Sequence, residues 1–226
     1  MSINPSPGDS MTASRVPLLL KLAYTAFMAV LVPVYWHYYG PTNFLYFCDL
    51  ALILTLIGIW PENALLISMC CVGILIPQAV WLVDFFANLA GVTLTGMTNY
   101  MFAADHALFL RALSLFHGWL PFLLLYLVWR TGYDRRALQS WTLLAWIVLP
   151  ICFFLMPQPT ANPGLIPVNI NYVFGTSDYV PQTFVPANVW FAGLLIGLPL
   201  LVFLPTHLVL SRLAPSAPAA KPAKAA

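Results

Sequence analysis

Four residues able to carry acid–base or nucleophilic chemistry lie inside one long apolar stretch, residues 105–129. They are His106, Arg111, Ser114 and His117. At about 100° per residue of an α-helix, all four fall within one arc of roughly 140°, opposite a face of leucine, phenylalanine and tryptophan. Ionisable groups are costly inside a bilayer, so this polar face is predicted to turn towards a protein interior or a wet cavity and to be functional.

Six further polar residues are candidates for the same site. They stand at the ends of other apolar runs or in the long loop before the last run: Thr42, Asn43, Asp49, Asp84, Asn169 and Asn171. Asp49 and Asp84 are each placed at a depth similar to that of Arg111, so one of them is predicted to form an ion pair with the guanidinium. For His117, a hydrogen bond across helices is the alternative to a role as general base.

The sequence predicts no metal site and no cofactor. Histidine and carboxylate side chains are suitable metal ligands, but their spacing does not favour a shared ion. His106 and His117 stand about three helical turns apart, too far to bind one ion without distortion.

The composition is that of an integral membrane protein. Of the 226 residues, 61% are hydrophobic and 7% are charged, against about 25% charged in a soluble domain. A bilayer crossing takes roughly 20 apolar residues, and the apolar runs predict an all-α fold, a bundle of six transmembrane helices. Their predicted bounds are 16–36, 43–60, 64–86, 105–129, 137–156 and 187–211. The few basic residues stand at the ends of runs, which argues against nucleic-acid binding.

The remaining segments divide into termini and loops. Residues 1–14 are polar and predict a disordered leader, 15–212 form the membrane domain, and 213–226 predict a disordered cytoplasmic tail. Two connections, 88–104 and 157–186, are long for a compact bundle, and we interpret them as surface or re-entrant segments. Loops of this length are usually functional or act as lids.

The distribution of basic residues predicts the orientation. With six spans, one side of the membrane holds Arg15, the arginines of the 130–136 loop, Arg212, Lys221 and Lys224. Basic loops mark the cytoplasmic side, so both termini are predicted to be cytoplasmic in a multi-pass protein of the cell membrane. The candidate polar residues then fall in the outer half of the bilayer, around a cavity covered by the 157–186 loop.

Short motifs resemble a known family. Thr42-Asn43-Phe44 opens span two, and span four contains His117-Gly-Trp-Leu-Pro-Phe122. Together they resemble the androgen-inducible family of six-span membrane threonine hydrolases, in which a threonine early in span two and a histidine in span four cleave lipid esters. Asn169-x-Asn171-Tyr172 and the order of spans also resemble bacterial "membrane-associated" proteins with no assigned activity.

Two functional hypotheses follow. The resemblance implies a lipid-ester hydrolase or acyl-transfer enzyme with Thr42 as nucleophile and His117 as general base, acting on membrane lipids in the outer half of the bilayer. Asn43, Asp49 and Arg111 would then orient groups or stabilise charge. The alternative is a non-enzymatic accessory subunit, or a protein that binds a lipid, quinone, pigment or other small apolar ligand.

Overall fold

The computed structural model describes residues 14–104 and 106–218. These residues form helices and no β-strand, which confirms the all-α class. Within them, α-helices follow one another in this order: α1 (Leu18–Tyr39), α2 (Phe47–Ile59), α3 (Ala64–Leu89), α4 (Leu108–Ser114), α5 (Phe116–Thr131), α6 (Ala137–Leu155), α7 (Ala187–Leu198) and α8 (Leu204–Leu213). A 3-10 turn, Pro41–Leu45, precedes α2, and a π-helical turn, Pro199–Phe203, joins α7 to α8.

The described residues contain five helical stretches that are long and apolar enough to cross a membrane. They are Leu18–Tyr39, Ala64–Leu89, Leu108–Thr131, Ala137–Leu155 and Ala187–Leu213. The membrane character predicted from the composition is therefore supported. The remaining predicted span, 43–60, is not matched by a helix of that length, because α2 has 13 residues and extends only about 20 Å.

The segment that contains α2 nevertheless runs beside α1 over most of its length. Near one end, the Lys21 ammonium pairs with the Glu62 carboxylate at 2.9 Å. Further along, the Trp60 indole donates to the Thr25 hydroxyl at 3.1 Å, and the Tyr24 hydroxyl donates to the carbonyl oxygen of Leu52 at 2.9 Å. The 3-10 turn before α2 contacts α1 as well. Residues 41–62 thus return antiparallel to α1.

Helix α3 is the centre of the bundle, since it packs against α2, α5 and α6. It approaches α6 closely at Gly73, which faces the fully buried ring of Trp141. An ideal Cβ on Gly73 would lie 1.8 Å from Cε2 of that ring. The absence of a side chain at residue 73 therefore permits the contact between α3 and α6.

The basic residues gather at one end of the bundle. We call it the basic end and define it by Arg15, Arg130, Arg135, Arg136 and Arg212. The Arg130 guanidinium donates to the Arg15 carbonyl oxygen at 2.6 Å, which places the start of α1 beside the end of α5. Residues 214–218, in the predicted tail, also lie here, because the Tyr133 amide donates to the Pro215 carbonyl oxygen. Residues 219–226 of the predicted tail and residues 1–13 of the predicted leader fall outside the described residues.

The loop after α3 is fixed at the opposite end. The carboxylate of Asp84 accepts hydrogen bonds from the backbone amides of Thr95, Gly96 and Thr98, and from the Thr98 hydroxyl. This carboxylate is almost fully buried. The connection predicted as surface or re-entrant is therefore folded back onto the end of α3.

Candidate functional site

The second apolar run is interrupted at Tyr46, whereas the sequence predicts one span over 43–60. Tyr46 has extended backbone angles (φ −61°, ψ 137°) between the 3-10 turn and α2. A helix broken at membrane depth frees backbone groups that other protein groups must bind. The Asn171 side chain binds two of them: Nδ2 donates to the Leu45 carbonyl oxygen at 2.9 Å, and Oδ1 accepts from the Phe47 amide at 3.0 Å.

Asp49 lies in the first turn of α2, just after this break, and is 4% exposed. Its Oδ2 accepts a hydrogen bond from Asn43 Nδ2 at 3.1 Å, which bridges the break, and a longer one from the Cys48 thiol at 3.9 Å. Its Oδ1 is buried and has no hydrogen-bond partner among the described residues. A buried polar atom without a partner costs about 1–3 kcal/mol, so Oδ1 is the strongest indication of a binding role in this region.

Hydroxyl groups from other helices approach the same carboxylate. Tyr35 and Tyr39, on the last turns of α1, are close enough to Asp49 for electrostatic interaction. Their rings pack edge to face, with centroids 5.0 Å apart. The Tyr35 hydroxyl shares a hydrogen bond of 2.9 Å with the Ser114 hydroxyl. We call this group the polar centre: Tyr35, Tyr39, Asn43, Cys48, Asp49 and Ser114.

A strained loop segment, residues 169–175, closes over the break, and we call it the strap. Asn169, Asn171 and Tyr172 have φ values of 49°, 57° and 59°. This left-handed conformation costs of order 1–3 kcal/mol for a residue other than glycine and persists only where neighbouring contacts impose it. The Asn169 side chain forms three hydrogen bonds with backbone groups of the strap and the residues just after it. Both asparagines predicted as supporting residues therefore shape the strap.

His117 has a different environment from the one that the hydrolase hypothesis needs. Its Nδ1 is hydrogen-bonded to Gln78 Oε1 at 2.9 Å. Its ring is stacked between Trp81 and Phe116, with centroids 4.9 Å and 4.1 Å away. Thr42 lies in the 3-10 turn before the break, and no hydrogen bond joins its hydroxyl to His117 in the described part of the chain. The geometry therefore matches the alternative prediction for His117, a hydrogen bond across helices.

The predicted ion pair between Arg111 and Asp49 or Asp84 is wrong: neither carboxylate pairs with Arg111 in the described part of the chain. Arg111 donates through Nη1 to the carbonyl oxygen of Met101 at 3.1 Å. Asp84 is occupied by the loop after α3, and Asp49 is hydrogen-bonded to Asn43. The physical reason is that hydrogen bonds from the folded loop already satisfy the Asp84 carboxylate, so it needs no guanidinium partner. His106 lies half-buried just before α4, with its ring 6.3 Å from that of Tyr100.

Sequence patterns did not single out three residues of the polar centre, Tyr35, Tyr39 and Cys48, nor Gln78, the partner of His117. Tyr35 follows Tyr24, Met28 and Leu31 on one buried face of α1, so its helical spacing could have indicated an interior position. Gln78 is an uncharged polar residue midway along α3, and the same depth argument used for Asp49 applies to it. For Cys48, no sequence signal separated it from an ordinary packing residue.

No group of three His, Cys, Asp or Glu side chains within residues 14–104 and 106–218 is placed to hold a metal ion. Comparison of the chain with protein-family models, curated proteins and solved structures finds no match. The resemblance to membrane threonine hydrolases stays a prediction.

Proposed function

We propose that the chain crosses the cell membrane six times, with the 3-10 turn, Tyr46 and α2 together as a broken second crossing. Residues 41–59 would extend about 30 Å, with 3-10 residues rising by about 2 Å and α-helical ones by 1.5 Å. The antiparallel course of this segment beside α1 supports the proposal. An even number of crossings also suits the basic end, where both described ends of the chain meet, and basic residues favour the cytoplasmic side for that end.

We further propose that the polar centre binds a membrane-soluble small molecule whose head group donates a hydrogen bond. The supporting observation is Asp49 Oδ1, a buried acceptor without a protein partner. No described Lys, Arg or His forms an ion pair with Asp49, so a cationic head group would supply the missing charge. Tyr35 and Tyr39 interact electrostatically with Asp49, and aromatic rings in this neighbourhood suit an ammonium group, which they attract. A lipophilic amine therefore fits best, and an alcohol second.

A ligand would reach this site from the end of the bundle opposite the basic end. Grooves of about 360 Å³ and 270 Å³ lie elsewhere, along α7 and beside Asp84. Beside the polar centre, the strap is hydrogen-bonded to both sides of the break through Asn171. A ligand would then reach Asp49 from the non-cytoplasmic half of the bilayer when the strap moves.

Photo-crosslinking tests the binding proposal. Three alkyl diazirine probes that differ only in the head group (amine, alcohol or carboxylic acid) are compared on the purified protein in lipid nanodiscs. The expected order of labelling is amine, then alcohol, then acid, with amine labelling lost in Asp49→Asn. Asp134→Asn is the matched control, because it removes a carboxylate outside the polar centre, one that pairs with Arg136 at the basic end. Equal labelling by all three probes, or full amine labelling of Asp49→Asn, would refute the proposal.

The enzymatic hypothesis has its own direct test. A hydrolase that uses Thr42 as nucleophile reacts covalently with a lipid-like fluorophosphonate. Mass spectrometry would then find the adduct on Thr42 in the wild-type protein and not in His117→Gln. Absence of any adduct on wild-type protein that binds the amine probe would leave the binding function as the better description.

A further inference from the structure

We propose that Asn171 is the positioning residue of the polar centre: its side chain takes the place of helical hydrogen bonds and holds the second crossing open at Tyr46. Its two bonds, to the Leu45 carbonyl oxygen and the Phe47 amide, join both sides of the break. Cys48 and Asp49 follow directly in α2. The position of the Asp49 carboxylate therefore depends on a residue more than a hundred positions later in the chain.

The Asn171 amide group suits this task chemically. One terminal group must donate to a carbonyl oxygen and accept from an amide at the same time, which is the pairing that a peptide group makes. A carboxylate can only accept, an ammonium can only donate, and an aliphatic side chain can do neither. The third contact of Asn171, from Nδ2 to the Cys152 sulfur at 3.5 Å, fixes the side chain against α6.

The backbone of the strap presents Asn171 in this orientation. Asn171 has a φ of 57°, and its neighbours Asn169 and Tyr172 share the left-handed conformation. The carbonyl oxygen of Tyr172 accepts a hydrogen bond from the Trp190 indole at 2.9 Å, which attaches the strap to α7. Displacement of the strap would withdraw Asn171, free the backbone at the break and expose the start of α2. Movement of the strap would therefore alter the proposed ligand site through Asn171. This part of the inference rests on the proposed function.

The Cys48 thiol provides a reporter at the break. We measure the rate at which N-ethylmaleimide modifies each cysteine of the full-length protein in nanodiscs, with sites resolved by mass spectrometry. Cys70 and Cys71 are fully buried in α3 and report general loosening of the bundle. In Asn171→Ala we expect modification of Cys48 to accelerate at least tenfold, while Cys70 and Cys71 keep the wild-type rate. Asn162→Ala, an exposed asparagine in the same loop, is the matched control and should change none of these rates.

A second variant distinguishes positioning from general support of the fold. Asn171→Asp retains the acceptor for the Phe47 amide, but its side chain donates to the Leu45 carbonyl oxygen only when it is protonated. The Cys48 rate, divided by the wild-type rate at the same pH, should therefore be high at pH 8 and return towards one at pH 5. Expressing the rate as this ratio cancels the pH dependence that the thiol has in both proteins, and a new carboxylate near Cys48 would only slow its reaction, the opposite of the expected acceleration.

Two results would overturn the proposal. One is a Cys48 rate in Asn171→Ala within twofold of the wild-type rate. The other is a Cys48 ratio in Asn171→Asp that is the same at pH 5 and pH 8, and this second criterion decides the matter if Asn171→Ala loosens the whole bundle. Maleimide labelling reports the break and not ligand binding, so its failure can be told apart from failure of the amine probe.

Discussion

The contact between Gly73 and Trp141 gives the sharpest prediction about the bundle. In Gly73→Ala, the added methyl group would lie 1.8 Å from Cε2 and 2.1 Å from Nε1 of the tryptophan ring. Replacing glycine by alanine in a helix by itself stabilises by about 1 kcal/mol. Overpacking costs typically 1–3 kcal/mol, and expulsion of a buried tryptophan ring costs up to about 5 kcal/mol. Because 1.8 Å is far inside van der Waals contact, the cost should lie in the upper part of this range, about 2–5 kcal/mol, so the free energy of unfolding should fall by about 1–4 kcal/mol after the helix-propensity gain.

The matched control for this substitution is Gly193→Ala in α7. Around Gly193, no atom lies within 4 Å of an ideal Cβ, so only the gain in helix propensity remains. Unfolding by sodium dodecyl sulfate in mixed micelles, followed by circular dichroism, would measure both variants. Gly73→Ala should be destabilised and Gly193→Ala should be unchanged or slightly more stable. Wild-type stability of Gly73→Ala, or equal losses in the two variants, would refute the packing described for α3 and α6.

Two further predictions concern pH. Burial raises the pKa of Asp178 to about 6, so its ionisation opposes folding as the pH rises above the ordinary pKa near 4. Asp178→Asn should therefore raise the melting temperature at pH 7.5 and leave it unchanged at pH 3.5. The reverse pattern would contradict the raised pKa. Partial burial alone would raise the pKa of Glu62, but hydrogen bonds from Lys21, Ser14 and the backbone of Arg15 and Val16 lower it to about 2. The stabilisation that Glu62 gives the folded state is therefore present above about pH 4.5 and is lost as the pH falls towards 2. Glu62→Gln should be less stable than wild type at pH 7 and equal to it near pH 2, and a constant difference across this range would exclude the linkage.

The helices of this protein could be predicted from the sequence because a long apolar segment in a membrane can satisfy its own backbone hydrogen bonds only as a helix. Five predicted spans correspond to helices that begin and end within about three residues of the expected positions, an ordinary boundary error. The break at Tyr46 could not be predicted in the same way. Residues 42–59 contain one glycine, at residue 58, and no proline, and the group that completes the break comes from Asn171, far away in sequence.

The candidate site was predicted less well for a related reason. Depth arguments correctly indicated that Asp49, Ser114 and His117 have interior partners, but they could not say which partners. Asp49 is hydrogen-bonded to Asn43 across a break that the sequence does not reveal. His117 is hydrogen-bonded to Gln78, which its depth alone does not distinguish from other polar residues. Pairing residues by their depth assumes continuous helices and loops that do not bind residues of the spans. Both assumptions fail here.

The distance in sequence between the break and Asn171 has a consequence for biosynthesis. Phe47 and Asn171 are 124 positions apart. At about 5–20 residues per second, the ribosome needs roughly 6–25 s to make the intervening chain. During that interval residues 41–59 lack the Asn171 side chain that binds the backbone groups on both sides of the break, whereas a continuous helix over these residues would satisfy its own backbone. If residues 41–59 form the proposed second crossing, we expect them to insert as a straight helix and to break at Tyr46 only after the strap has been made.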